Sequence, residues 1–420
     1  MKILVKQATI IHPGSSFHLQ TRDILLENDA IVKIDSNLKD EANEIIEADK
    51  LCCSPGWIDS FAQFHDPGAE HKETLSTGAA AAAAGGYTTV FTIPNTNPVV
   101  QHKTQVEYVK QHHQPACTVF PLGAISKHIE GKELAEMMDM YHSGAIAFTD
   151  GLKPVQNAGL LLKALQYVKA FNGVIIQVPD DTSIAANALM HEGIVSTQMG
   201  LPGKPMMAEE LIVARDIKLA RYTDSAIHFT AVSSPKSIEY IKRAKDAGLQ
   251  VTCSVTPYHL LFCDEDLQQY DTNLKVNPPL RSRADMLALR QAVQDGVVDC
   301  IASHHIAQDI DSKQCEFEYA KHGMIGLQTC FAAVNTAIPD LSTERIFQLF
   351  AGNAAQIFKL SASPIAEGCK ANLTLFSKEG TTLLTKQNNK SKSSNSPFFN
   401  TPLSGKIIAT ICNGKLNKTI

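Results

Sequence analysis

No excess of charge of either sign marks this chain. Its 420 residues carry 38 Lys and Arg against 43 Asp and Glu, a net charge of −5, and only 19% of positions are charged. Without a positive field to release counterions, nucleic-acid binding by phosphate neutralisation is excluded. Long apolar runs are also missing: none reaches the roughly 18 residues a membrane span needs. The opening Met1-Lys2-Ile3-Leu4-Val5-Lys6 is followed by no apolar core or small-residue cleavage site of a secretory signal. A cytoplasmic protein with no membrane partner is therefore expected. The ten cysteines include no Cys-x-x-Cys, and their one close pair, Cys52-Cys53, is adjacent. Reduced, buried thiols account for them better than disulfides or a zinc knot.

What is present is apolar and ordered. At 44% hydrophobic, the chain has material for a large core, and disorder is excluded for most of it. Strand-like stretches open it, at Lys2–Ala8, Asp23–Leu26, Ile31–Ile34 and Ile45–Ala48, and close it, at Ala371–Phe376 and Gly405–Cys412 before the turn Asn413-Gly414. Neither end can bury a core alone, so a small β-sandwich domain built from residues 1–53 and 365–420 is expected. The Lys/Asn/Ser tract Lys386–Ser396 reads as a mobile surface loop, with a lid or linker as the alternative.

Between the ends, strand-like runs alternate with helical stretches. The runs are Gly56–Phe61, Thr88–Ile93, Thr118–Leu122, Ala145–Phe148, Val174–Val178, Ala226–Ala231, Leu249–Val255 and Val298–Ala302. Among the helices, Glu73–Ala84 stops at Gly85-Gly86, its Ala79–Ala84 run suited to close packing on a barrel. Pro235–Ala247 has Ser234 as N-cap, Pro235 at the first position and Gly248 as stop. Eight such units over residues 54–364 predict an α/β fold of the (β/α)8 TIM-barrel type, with any site at the C-terminal strand ends.

The segments at those ends are distinctive. Pro55-Gly56-Trp57-Ile58-Asp59, Ala80–Pro98, His191–Pro202, Val255–Leu260, Lys275–Arg281 and Gly323–Thr329 together resemble the dihydroorotases of the amidohydrolase superfamily. The resemblance covers essentially the whole chain, including Asn372-Leu373-Thr374-Leu375, where relatives usually have Ala-Asp-Leu. It implies a metal-dependent-hydrolase barrel with one or two zinc ions at its mouth, a metal-bound hydroxide, and opening or closure of a cyclic amide.

The ligands that the resemblance implies are nevertheless replaced. The His-x-His of the first strand is Phe61-Ala62-Gln63, and the Arg that grips the substrate carboxylate is His65. The fifth- and sixth-strand histidines fall at Gln177 and Ala231, and the catalytic aspartate of the eighth strand at His304. Asp150 alone matches a bridging carboxylate, a possible remnant. No bound zinc, no other cofactor and no catalytic residue are therefore expected, because Phe61 and Ala231 offer no lone pair and zinc needs three or four ligands. Asn95 and Asn277 match family asparagines that bind the substrate, so a vestigial pocket is one reading; a turn cap for Asn95 and a loop-orienting role for Asn277 is the other. His65, His259, His304 and the neighbouring His305 are the candidates for a replacement metal site, and His112-His113 reads as solvated.

Three functions follow as expectations. The first is a catalytically inactive dihydroorotase-like protein acting as a structural or regulatory partner, with aspartate carbamoyltransferase as the candidate partner that the resemblance suggests. The second is a cyclic-amide hydrolase, a dihydroorotase or related amidohydrolase, using a non-standard site. The third is a binding protein in the manner of the collapsin-response-mediator relatives of dihydropyrimidinases. A homo-oligomer is expected in each case.

Overall fold

The computed structural model describes residues 1–112, 114–361 and 364–419; His113 lies outside them. The first barrel strand, Trp57–Gln63, is buried along its whole length. It pairs in parallel with the second, Tyr87–Thr92, which pairs with the third, Thr118–Pro121. The fifth strand, Val174–Gln177, pairs with the sixth, Ala226–Phe229, and that with the seventh, Val251–Val255. Between the third and fifth, the expected strand Ala145–Phe148 is only a pair of bridges through Phe148, to Gly123 and to Ile175.

The eighth strand departs further from expectation. Instead of one run over Val298–Ala302, Cys300–Ile301 pairs with the seventh strand and His305–Ile306 pairs with Ala62 and Gln63 of the first. Between the halves, His304 takes a left-handed backbone, φ 43°. That kink lets one short segment pair with the seventh strand and then with the first, so parallel pairing returns to its start. The TIM barrel expected from the sequence is thus traced by the pairing itself.

Local signals set the helices. Leu75–Ala84 starts two residues later than expected, because Thr74 caps it and forms a capping box with Thr77. Its alanines Ala79, Ala81, Ala82 and Ala83 are buried. Ser234 caps Pro235–Asp246, accepting from Lys236 N–H. Gly86, at φ 96°, joins the first helix to the second strand where a Cβ would come within 2.8 Å of Trp57 and 2.9 Å of Ile407. Only glycine fits both that backbone and that space.

Both termini enter one sheet. Lys2–Ile10 pairs antiparallel with Thr21–Glu27 and parallel with Cys52–Pro55. Cys52–Pro55 pairs with Leu373–Leu383, which pairs with Pro402–Cys412. Hydrogen bonds join all eight strands built from the two termini into one continuous sheet. Asn413 and Gly414, at φ 49° and 74°, make its last hairpin turn. Trp57 ties sheet to barrel: its ring lies 4.7 Å from Phe350, 5.2 Å from Phe331 and 5.1 Å from Phe376, while Nε1 donates to Ser54 Oγ at 2.9 Å. All ten cysteines are free thiols, and eight are buried.

The tract Lys386–Ser396 is not the mobile loop its composition suggested. Ser391, Ser393, Asn395 and Ser396 are buried. Asn395 Oδ1 accepts from Gln308 N–H at 3.0 Å, and its Nδ2 donates to the carbonyls of Ile306 and Gly323 at 3.0 and 3.1 Å. Ser393 donates to Lys72 O at 2.7 Å, and Ser391 to the buried Glu73 carboxylate. Short polar side chains here satisfy backbone groups of the eighth strand and its loop, so the segment is a strap fastened to the barrel.

Candidate functional site

The strand-end positions singled out in the sequence come together at the barrel mouth, but as a packed polar and aromatic core. Phe61 stacks on His304 with ring centroids 4.2 Å apart and planes 16° from parallel. Both are buried. Ala231 beside them is fully buried and left-handed at φ 55°, as are His304 at 43° and His65 at 58°. These conformations cost a side-chain-bearing residue about 1 kcal/mol or more, and such strain concentrates at functional sites. The backbone of a site is thus kept at three positions whose side chains differ from those the resemblance implies.

His304 heads a hydrogen-bond chain through the barrel. Its Nε2 lies 2.8 Å from Thr230 Oγ1, Thr230 accepts from Ser254 Oγ at 2.9 Å, Ser254 lies 3.1 Å from His228 Nε2, and His228 Nδ1 lies 2.9 Å from Thr252 Oγ1. Each hydroxyl has one proton and Ser254 gives its own to Thr230, so His228 donates to Ser254 and Thr252 to His228. His304 Nε2 shares a proton with Thr230, and its Nδ1 has no partner among the described residues. Burial, then the nearby His259 and His228, lower the His304 pKa to about 3. The ring is buried, with Nε2 held by Thr230 and Nδ1 shut away from solvent.

The other positions are similarly committed. Gln63 donates to Asn95 O at 3.0 Å, and its Oε1 is buried without a partner. Gln177 Nε2 donates to Val155 O and to Asp216 Oδ2, both at 3.3 Å. Asp216 is in turn held by Arg215 Nε at 2.6 Å, and burial raises its pKa to about 6. Asp150 accepts from the N–H groups of Ile125 and Ser126, both at 2.9 Å, and from Ser126 Oγ, while burial raises it to about 6. His65 Nε2 donates to Ala307 O at 2.8 Å. His259 accepts from Thr256 at 2.8 Å and donates to Pro278 O at 3.1 Å. His305 donates to Glu73 at 3.1 Å, beneath the strap. Among the described residues no three His, Cys, Asp or Glu side chains are placed to hold a metal ion. His65, His259 and His304 thus do not converge, and the donor set at the mouth does not fit zinc.

Asn95 spans a turn, donating to Asp150 O and accepting from Leu152 N–H, both at 3.2 Å. Asn277 accepts from Lys204 Nζ at 2.9 Å and donates to Asp180 at 3.2 Å. His112 is exposed at the end of its helix, its Nδ1 2.7 Å from Tyr108 O. Sequence reasoning missed Thr230, Ser254 and His228, and also Asp59, buried under the mouth, which accepts from Ser303 N–H at 2.6 Å and Oγ at 2.9 Å. The available signal was polar residues at matched register on adjacent strands, His228 opposite Thr252.

The parallel barrel with a β-sheet built from both termini is the fold of solved hydantoinases. Solved structures agree on the fold: L-hydantoinase (dihydropyrimidinase) from Arthrobacter aurescens superposes with a TM-score of 0.85 at 22% identity, covering 99% of this chain and 95% of that one. D-hydantoinase from Thermus sp. gives 0.83 at 18%, covering 99% and 94%. Residues 50–237 match the family model described as dihydro-orotase-like. The dihydroorotase of Syntrophus aciditrophicus is 37% identical over 99% of both chains, and that of Pelotomaculum thermopropionicum 36% identical over 99% of this chain and 98% of its own. The chain belongs to the dihydroorotase family of the amidohydrolase superfamily.

Proposed function

We propose that this protein is a dihydroorotase-family barrel that does not hydrolyse cyclic amides and acts in pyrimidine biosynthesis through its surface, as a structural or regulatory partner. The observation that carries this reading is the Phe61–His304 stack, two buried rings at the positions where the resemblance implies a metal ligand and the catalytic aspartate. Aspartate carbamoyltransferase is the candidate partner, in the cytoplasm, with the chain itself assembling as a homo-oligomer. In the same reading residues 54–364 are the barrel and residues 1–53 with 365–420 a separate β domain, whose sheet folds over as a sandwich.

A second reading is a cyclic-amide hydrolase with a non-standard site. It is favoured by the names of the whole-length relatives, which are dihydroorotases. Sedimentation of the purified chain with aspartate carbamoyltransferase from the same cells separates the two. A stable complex whose dihydroorotate hydrolysis does not exceed background supports the first reading. No complex, together with hydrolysis by the chain alone, supports the second.

A further inference from the structure

A cavity of about 600 Å³ opens at the mouth between the loops after the third, fourth and fifth strands. Of the strand-end positions discussed above, only Asn277 lines it. Its chemistry comes instead from Lys132, Lys153, Lys204, His322 and the two carboxylates Glu130 and Asp180. Lys204 is bound to Asp180 at 2.7 Å, and Lys132 to Glu130 at 3.0 Å. Lys153 is exposed and has no carboxylate within ion-pair distance among the described residues, although Asp150 and Glu130 feel its charge from farther off.

Behind this wall lie two more ammonium groups. Lys275 donates to the carbonyls of Phe317 and Glu318 at 2.6 and 2.9 Å. Lys313 donates to those of Thr272 and Lys321 at 2.8 and 2.7 Å. Both are buried, and neither has an ion pair among the described residues; burial lowers the pKa of both, that of Lys313 to about 7 with the Lys275 charge adding to the effect. His322 meets solvent in the cavity but is enclosed by protein on most sides. That desolvation, then the charges of Lys275, Lys204 and Lys313, lowers its pKa to about 3. Five lysines therefore face or back one concave site, against the carboxylates of Glu130 and Asp180 that line it. Burial works against the ammonium forms of Lys275 and Lys313, and an anion in the cavity favours them.

The kind of cation narrows the anion. No arginine lines the cavity, so no planar fork is available there to grip a carboxylate or a phosphate bidentately. Lysine acts as a point charge and suits the tetrahedral oxygens of phosphate. We propose that this cavity binds a small phosphate-bearing metabolite, its phosphate held among Lys132, Lys153 and Lys204 and its remainder against Asn277 and the 182–188 loop. Apart from Asn277 the site shares nothing with the strand-end positions, so it stands whether or not the barrel hydrolyses anything.

The test is calorimetric titration of the full chain with inorganic phosphate and with ribose 5-phosphate, at fixed ionic strength, and with succinate as the carboxylate comparison. Saturable binding of both phosphates is expected, weakened about tenfold in Lys153→Gln and in Lys132→Gln, whose side chains are exposed and whose unfolding midpoints should match the parent. Absence of saturation, unchanged affinity in both variants, or equally tight binding of succinate would overturn the proposal.

Discussion

Thr230 Oγ1 lies 2.8 Å from His304 Nε2, inside the barrel and away from solvent. That hydrogen bond holds the ring of the residue standing where the resemblance places a catalytic aspartate.

Replacing Thr230 with Val removes this hydroxyl and leaves both His304 Nε2 and the Ser254 proton unpaired. A buried group so stranded costs about 1–3 kcal/mol. Urea unfolding of Thr230→Val should show that loss, and Thr230→Ser should recover most of it.

Phe61 contributes by packing on His304. Phe61→Ala should destabilise the fold by about 3–5 kcal/mol, as for other buried aromatic truncations. Phe61→His alone should gain no zinc affinity. Zinc binding is expected only when Phe61→His, Gln63→His, Gln177→His, Ala231→His and His304→Asp are combined, read by competition with a chromogenic chelator.

Asp59 supplies a pH signature. Burial raises its pKa to about 7, against about 3.9 for an unfolded aspartate. Between those values the folded chain holds a proton that the unfolded chain has released, so this group's contribution to stability is present below about pH 4 and lost as the pH rises through 7. Asp59→Asn lacks that loss. Its stability relative to the parent should climb by up to about 1.4 kcal/mol per pH unit across the window, measured by denaturant unfolding.

The strap rests on Asn395, which serves three backbone groups. Asn395→Ala should expose the 386–396 segment to limited proteolysis at protease levels that leave the parent intact, with a stability loss of about 1–3 kcal/mol.

The barrel was legible where the sequence is locally decisive. Val174–Gln177 and Val251–Val255 are apolar runs bounded by turns, and Ser234-Pro235 announces its helix unaided. The fourth strand was over-read because Ala145–Phe148 is apolar for packing rather than for pairing. The hydrogen-bond chain was hidden because His228 and Thr230, at the end of the sixth strand, and Thr252 and Ser254, in the seventh, alternate with apolar residues, and only their register joins them. The strap was hidden because Ser391 and Asn395 meet partners about 70 to 320 residues away, which composition cannot convey.

Steady-state hydrolysis of dihydroorotate by the isolated chain, with and without added zinc and at several protein concentrations, tests the central claim most directly. General-base assistance alone is worth only roughly 10²–10⁴-fold, and His304 is buried with its Nε2 bonded to Thr230. The expected result is no rate above background under either condition. A rate proportional to protein concentration that disappears in His304→Ala would contradict the account.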